Sequence, residues 1–202
     1  MKHLIRVFCI AMALSGCAKT TYGPYPETWP ALSGLGPDCR GIVGTYDETG
    51  VSIAGVGDAA GETRRTASLS RHVYAAGRGA KSKQDFPRDT VAIRFSIPAE
   101  GKVLVEAIDK WGWVLDLAEW DRGSQQYDCD EHGLTVKQDR PMMVLGYNSD
   151  YAVITKAMDG SLILRQTSRA IGMTPTPIIV PVPASHDFTN WTRFQTTVAP
   201  SR

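Results

Sequence analysis

The segment Thr90-Val-Ala-Ile-Arg-Phe-Ser-Ile97, followed by Lys102-Val-Leu-Val-Glu-Ala-Ile108, decides the fold class of this 202-residue chain. Apolar and polar side chains alternate along the first run, which is the pattern of a half-buried β-strand. Residues Pro98 to Gly101 supply turn chemistry between the two runs. The two runs are therefore predicted to pair as an antiparallel hairpin.

Further short runs predict strands along most of the chain. Glu48-Thr49-Gly50 is predicted to reverse the chain between the first two, and Asp159-Gly160 to form a type I′ turn between two later ones. Because most connections are this short, we expect an antiparallel meander that forms a barrel or a strongly bent sheet. In chain order the runs are 39–47, 51–56, 112–117, 134–136, 142–147, 151–158, 161–167 and 190–196.

One short helix is predicted to interrupt the strands. Leu69, Val73 and Ala76 follow one another at spacings of four and three, between Ser68 as a cap and Gly77 as a stop. The predicted fold class is therefore mainly all-β, with one short inserted helix.

The charge balance excludes one class of partner. The chain has 22 Lys and Arg against 21 Asp and Glu, whereas a nucleic-acid-binding domain gathers a basic excess on one face. No nucleic-acid partner is therefore expected. A length of 202 residues with 43% hydrophobic content suits one domain with a buried core.

The first seventeen residues predict export. Lys2 and Arg6 form a basic start, and the apolar run from Val7 to Leu14 is too short to span a bilayer as a helix, which needs about 20 apolar residues. This is the pattern of a signal peptide. Leu14-Ser15-Gly16-Cys17 then resembles the lipobox of bacterial lipoproteins.

The lipobox resemblance implies cleavage before Cys17 and acylation of that residue, which anchors the chain to a membrane. Ala18, where an aspartate would signal inner-membrane retention, favours the outer membrane with the domain in the periplasm; the inner membrane and the cell surface stay open. The alternative is a free Cys17 thiol behind an ordinary signal peptide. The predicted division is a signal peptide at 1–16, a Pro-rich tether at 17–38 and one β-rich domain at 39–202. Within the tether, Trp29 and Leu32 are expected to contact the domain already; a strip that binds a partner is the alternative.

Two cysteines remain for the exported domain, Cys39 and Cys129. In an oxidising compartment an even pair most simply forms one disulfide. A metal pair is the alternative, but the C-x-x-C spacing typical of such sites is missing.

A second resemblance concerns the fold. Gly44-Thr45-Tyr46 stands where the calycin barrels, the lipocalin-like family, have glycine, any residue and tryptophan on their first strand. Arg193 would be the basic residue of the last strand that packs across that ring. The resemblance implies a barrel that could carry a lipid or another small apolar ligand.

Candidate site residues are few. Trp111, Trp113 and Trp120 could form a sugar-stacking platform, or place one ring in the core and another at the rim. The polar run 128–132 offers three carboxylates and an imidazole, but consecutive residues of an extended chain point in opposite directions, so a polar turn is expected rather than a metal site. No catalytic motif is present, so no catalytic residue, metal or cofactor is assigned.

Three function classes follow. The first is a noncatalytic envelope lipoprotein whose β domain binds another envelope component or has a structural role, with the membrane as partner through the acyl chains on Cys17. The second is a calycin-like carrier of a lipid or small apolar ligand, with Ile93, Phe95, Leu104 and Leu115 lining its cavity. The third is a glycan-acting enzyme with paired carboxylates from among Asp116, Glu119, Asp121 and Asp128.

Overall fold

The computed structural model describes residues 24–55, 63–78, 87–124, 127–142, 146–172 and 184–197. A 3-10 turn at Arg40–Ile42 precedes the strands, and the helix is α1 (Leu69–Arg78). The strands are β1 (Gly44–Asp47), β2 (Thr49–Gly55), β3 (Thr63–Ser68), β4 (Ala92–Ala99), β5 (Lys102–Ile108), β6 (Val114–Asp121), β7 (Tyr127–Asp130), β8 (Gly133–Met142), β9 (Gly146–Lys156), β10 (Leu162–Gly172) and β11 (Ala184–Phe194).

The strands form two antiparallel sheets. The smaller sheet has the order β1-β4-β5-β6, and the larger one has the order β3-β2-β11-β10-β9-β8-β7. The predicted hairpin is confirmed as β4 and β5, which pair with Phe95 opposite Val105. The mainly β class with one inserted helix is therefore confirmed.

Closure into a barrel is not found. Within the described ranges no strand pairing closes either sheet, so β1 and β6 are the edge strands of the smaller sheet and β3 and β7 those of the larger one. Tyr46 of β1 forms an isolated bridge with Thr196, which follows β11. Helix α1 contacts both β6 of the smaller sheet and β8 of the larger one. Helix packing, rather than a ladder of strand hydrogen bonds, therefore links the sheets there, and neither sheet is strongly curled.

The turn predicted at residues 48–50 is wrong. β1 pairs with β4, whereas β2 pairs with β3 and β11, so the chain passes from one sheet into the other at Glu48. Gly50 serves close approach rather than reversal, because a Cβ there would lie 2.5 Å from Cδ1 of Phe194. The absence of a side chain at position 50 lets Phe194 of β11 pack against β2.

The hairpin predicted at Asp159-Gly160 is confirmed as β9 and β10, but its turn is not type I′. Gly160 has φ +86°, while Asp159 is not among the residues with positive φ. Gly160 N donates to Ala157 O, and Ala157 N donates to Ser161 O, each at 2.9 Å. This is a three-residue loop in which a type I turn is followed by a left-handed glycine.

Several strand ends differ from the prediction. The first strand begins at Gly44 rather than Cys39, because Cys39 has φ +56° and starts the 3-10 turn. Strand β3 was not predicted, since its sequence is polar; it lies at a sheet edge, where polar side chains can face solvent. Residues 56 and 143–145 of two predicted runs lie outside the described residues.

Most of the core fills the space between the two sheets. Its largest fully buried side chains include Trp120, Tyr46, Phe95 and Phe194. A second, smaller cluster lies on the opposite, outer face of the larger sheet, where Tyr25 and Trp29 pack against Ala157, Ile163 and Trp191. The larger sheet is therefore covered on both faces.

The cover of that outer face comes from the Pro-rich segment. From residue 24 onward this segment lies against the domain: Leu32 forms a bridge with Ala157, and Ser33 N donates to Lys156 O at 2.8 Å. Leu35 is buried in the main core. The earlier part of the predicted tether, including Cys17, and the signal peptide lie outside the described residues.

The predicted disulfide is present. Cys39 and Cys129 are bonded across 90 residues of sequence, with a Cα to Cα distance of 5.9 Å. The bond joins the start of the 3-10 turn to β7, and both cysteines belong to the main core.

Candidate functional site

The three tryptophans predicted as a platform do not lie together. Trp120 is 1% exposed and its ring centroid lies 6.1 Å from that of Phe95 in the core. Trp111 and Trp113 are 66% and 64% exposed. The structure therefore matches the alternative of one tryptophan in the core and others at the rim.

The loop between β5 and β6 holds the two exposed tryptophans. The buried carboxylate of Asp109 accepts hydrogen bonds from Trp111 N at 2.9 Å and Trp113 N at 2.8 Å. The ammonium group of Lys110 lies 4.3 Å from the Trp111 ring centroid. Because of these backbone contacts, the strand that was predicted to begin at residue 112 begins at Val114.

An exposed apolar surface continues from this loop along β6, and we call it the β6 surface. Strand β6 is an edge strand of the smaller sheet, so one side of its backbone has no neighbouring strand within the described residues. Exposed apolar side chains on an edge strand are typical of an interaction site. The surface consists of Trp111, Trp113, Val114, Leu115 and Leu117.

A cleft of about 560 Å³ opens on the outer face of the larger sheet, and we call it the outer cleft. Its floor is formed by side chains of β9, β10 and β11. One wall is the Pro-rich segment and the other is the turn between β7 and β8. The lining residues are Leu32, Ser33, Gly34, Glu131, His132, Val153, Thr155, Arg165 and Trp191.

The two walls of the outer cleft meet closely. Gly34 has φ +72°, and a Cβ at this position would lie 2.8 Å from the carbonyl oxygen of Glu131. Glycine is therefore required at position 34 for the Pro-rich segment to pass the turn between β7 and β8. The imidazole of His132 lies 3.7 Å from the Glu131 carboxylate, and both side chains are exposed.

The strand register places a cation in the floor. Arg165 on β10 stands opposite Trp191 on β11, and its guanidinium carbon lies 5.8 Å from the Trp191 ring centroid. On the same face, Arg193 binds Asp159 and donates to Ser161 Oγ at 3.1 Å. Hydrogen bonds from Ser161 and Arg193 hold the pKa of Asp159 below its ordinary value.

Thr155 is the buried polar group of the floor. It is 3% exposed, and its hydroxyl has no hydrogen-bond partner in the described part of the chain. Tyr25 lies beside this floor, with its ring centroid 5.1 Å from that of Trp191 in an edge-on arrangement. Its hydroxyl donates to Pro30 O at 2.6 Å, and burial raises its pKa.

The residues of the calycin resemblance lie in different sheets: Tyr46 is on β1 of the smaller sheet, and Arg193 is on β11 of the larger one. Tyr46 is buried in the core; burial raises its pKa to about 12, and its hydroxyl donates to Ile42 O at 2.9 Å. Arg193 does not cross this ring, because it is bound to Asp159 on the outer face. The ammonium group of Lys156 lies 5.9 Å from the Tyr46 ring centroid instead.

The four positions predicted to line a carrier cavity divide between two environments. Ile93 and Phe95 are buried in the main core, where the Phe95 ring contacts those of Tyr46 and Trp120. Leu104 and Leu115 face away from that core; Leu104 is partly exposed and Leu115 is exposed. The strand register therefore does not bring the four together around one space.

The carboxylates considered for catalysis have structural partners. Glu119 binds Lys102 at 2.5 Å, and Asp128 binds Arg122 at 3.1 Å. Asp116 accepts from Leu117 N, and Asp121 accepts from Gly123 N. Within the described ranges no three His, Cys, Asp or Glu side chains form a group that could hold a metal ion.

Comparison of the chain with protein-family models, with curated proteins and with solved structures found no match in any of the three. In the part of the chain that the structure describes, no helix has both the length and the apolar character needed to cross a membrane. The sites above therefore rest on their own geometry.

Sequence reasoning missed Arg165, Thr155 and Trp191. Each lies in or beside a run that was predicted as a strand, but nothing in the run marks the residue as part of a site. Only the register of β9, β10 and β11 brings the three onto one face. Only knowledge of which strands pair, and in which register, would have identified these three residues as neighbours.

Proposed function

We propose that the protein is a noncatalytic lipoprotein of the bacterial cell envelope, anchored through acyl chains on Cys17, whose β domain binds another envelope component. The observation that carries this proposal is Leu14-Ser15-Gly16-Cys17 directly after a basic start and a short apolar run. Two or three acyl chains make release from a membrane rare. The outer membrane, with the domain in the periplasm, is the proposed location.

The anchor would keep the domain close to the lipid. Residues 18–23 separate Cys17 from Pro24, where the described chain begins. Seven residue steps span at most about 25 Å when fully extended. Pro24 would therefore lie within about 25 Å of the anchored Cys17.

The β6 surface supports a protein as the envelope component. An edge strand can accept an added strand from a partner, whose alternate side chains then occupy apolar positions. Leu115 and Leu117 alternate along β6 and would supply such positions next to Trp113. We do not propose an internal carrier cavity, because Phe95 and Trp120 pack against each other in the core.

Intact-mass spectrometry of membrane-extracted protein, with and without reduction, tests the anchor. We expect the mass of a chain cut before Cys17 plus its acyl groups, increased by two hydrogens on reduction. Cys17→Ser should abolish the acylated species, while Cys9→Ser, the matched control inside the signal peptide, should keep it. An unacylated wild-type protein in the soluble fraction would overturn the proposal.

Site-specific photocrosslinking in cells tests the surface. A photoreactive residue at Leu117 should give an adduct of discrete mass that mass spectrometry identifies as one envelope protein. The matched control is Val51 on β2, because its exposure of 48% is close to the 51% of Leu117. Equal adducts from both positions, or none from Leu117, would count against the β6 surface as the binding site.

A further inference from the structure

The outer cleft contains the guanidinium group of Arg165, for which the described residues supply no ion-pair partner. Arg40, Arg94, Arg122 and Arg193 each bind an Asp or Glu side chain. Arg165 makes no ion pair or side-chain hydrogen bond within the described part of the chain, and its guanidinium group lies over the ring of Trp191. Its five N–H donors therefore remain available to a ligand.

The ring of Trp191 also orients this cation. A guanidinium over an indole face gains a cation–π interaction, and its planar fork matches the two oxygens of a carboxylate. Trp191 is only 8% exposed, and Tyr25 packs edge-on against it. The support under Arg165 is thus fixed by the core of the outer face rather than by a mobile side chain.

Thr155 adds a second polar group to the same floor. Thr155 stands opposite Ile163, and Arg165 stands opposite Val153, so Thr155 and Arg165 are diagonal neighbours on β9 and β10. Diagonal neighbours have Cβ atoms about 7 Å apart, within reach of a long side chain. A buried hydroxyl without a partner costs free energy, and a ligand oxygen reached by a side-chain rotation would remove that cost.

The remaining lining restricts the kind of anion. Glu131 lies on the wall formed by the turn between β7 and β8, and its carboxylate disfavours a second negative charge on the ligand. Leu32 and Val153 offer apolar contact to the rest of the ligand. A volume of about 560 Å³ lies within the range of small-molecule sites.

We propose that the outer cleft binds a small organic monocarboxylate, with the carboxylate held by Arg165 and Thr155. This inference does not depend on the lipid anchor or on the β6 surface. The shared ligand chemistry could come from an acidic sugar or from a medium-chain fatty acid, and the test separates these two sources.

Titration calorimetry on the full-length, detergent-solubilised protein tests the proposal with two matched pairs of probes. N-acetylmuramic acid is compared with N-acetylglucosamine, which lacks the lactyl carboxylate, and decanoate is compared with decanol. We expect one acid to bind at least tenfold more tightly than its neutral counterpart. The pair that shows the difference identifies the source.

Two pairs of variants assign the binding to the cleft. Arg165→Gln should weaken binding of that acid at least tenfold, whereas Arg94→Gln on the smaller sheet should leave it unchanged. Thr155→Val should weaken it several-fold, while Thr192→Val, which also removes a buried and unpaired hydroxyl, should not. Urea unfolding of each variant checks that a loss of binding is not a loss of fold.

Two results would overturn the proposal. The first is that neither acid binds more tightly than its neutral counterpart. The second is that an acid binds equally well to the wild type and to a folded Arg165→Gln variant. Either result leaves the proposed lipoprotein function intact, because that function is tested by acylation and crosslinking.

Discussion

Thr192 and Thr155 carry buried hydroxyls that have no hydrogen-bond partner among the described residues, and they lie on opposite faces of the larger sheet. Thr192 faces the main core from β11, next to Phe194, whereas Thr155 lies in the floor of the outer cleft. A hydroxyl removed from water without a partner destabilises the fold by about 1–3 kcal/mol. At the residue scale, the same defect therefore has different consequences according to the face on which it lies.

Thr192→Val should stabilise the protein by about 1 kcal/mol, because a methyl group replaces the unpaired hydroxyl with little change of shape. The measurement is the urea midpoint of unfolding at constant slope. Thr189→Val is the matched control, since the Thr189 hydroxyl lies 3.5 Å from that of Thr167 and its loss removes a contact. A midpoint for Thr192→Val at or below that of the wild type would contradict this account.

His72 makes stability depend on pH. Burial, assisted by Arg71, lowers the pKa of His72 to about 4 from 6.5, and Gln166 Nε2 lies 2.8 Å from its Nδ1. Above pH 6.5 the imidazole is neutral in both states, so its contribution is fully present. As the pH falls from 6.5 towards 4 the unfolded chain takes up the proton first, and up to about 3 kcal/mol is lost.

The check is the free energy of unfolding between pH 7 and pH 5, where most carboxylates stay ionised. Stability of the wild type should fall across this window, and His72→Gln should flatten the fall. His132→Gln, at an exposed histidine, should retain the wild-type slope. Equal slopes for wild type and His72→Gln would remove His72 as the cause.

At the scale of elements, Glu48 lies where the chain passes from β1 of the smaller sheet to β2 of the larger one, and it also contacts the start of helix α1. Its backbone carbonyl accepts from Leu69 N at 2.8 Å, and its carboxylate accepts from Ser70 N at 2.9 Å and from the hydroxyls of Ser68 and Ser70. A helix start leaves backbone N–H groups without partners, and a carboxylate there also suits the helix dipole. The residue that bends the chain between the sheets thus also caps α1.

Glu48→Ala should destabilise the protein by about 2 kcal/mol, because hydrogen bonds to a charged acceptor are lost at a partly buried position. Urea unfolding measures the loss, and hydrogen exchange of the α1 amides should accelerate. Glu119→Ala is the control: it removes an ion pair with Lys102 in which both side chains are exposed, and it should cause a smaller loss. Equal losses for the two variants would show that the cap has no special role.

At the scale of the whole molecule, the disulfide joins parts of the chain that are remote in sequence. Cys39 and Cys129 are separated by 90 residues, among which all four strands of the smaller sheet lie. Closing so long a loop in the unfolded chain removes conformational entropy from it. The chain-entropy account gives roughly 4 kcal/mol for this closure.

Replacing both cysteines, Cys39→Ala with Cys129→Ala, should therefore lower the free energy of unfolding by roughly 4 kcal/mol. Reduction of the wild type should cause a similar loss in a urea titration. The same reductant should leave the double variant unchanged, which separates the disulfide from side effects of the treatment. A reduced wild type as stable as the oxidised protein would refute the expected contribution.

Local pattern was sufficient for part of the fold. Alternation predicted β4 and β5, the glycine turn predicted the pairing of β9 with β10, and the cysteine count predicted the disulfide. Gly50 failed as a turn residue because its role is contact with Phe194, which is 144 residues away. Such a contact leaves no mark in the neighbouring sequence.

By itself the sequence determined the mainly β class and the short helix, because each depends on residues close together in the chain. The anchor at Cys17 is a proposal from the same kind of local pattern. The tertiary structure alone decided that the strands form two sheets and that Trp120 is buried while Trp113 is exposed. It alone placed Arg165 beside Thr155 and over Trp191. The physical reason is register: which residues share one face of a sheet depends on how distant strands pair, and a shift of one residue would turn each side chain to the other face.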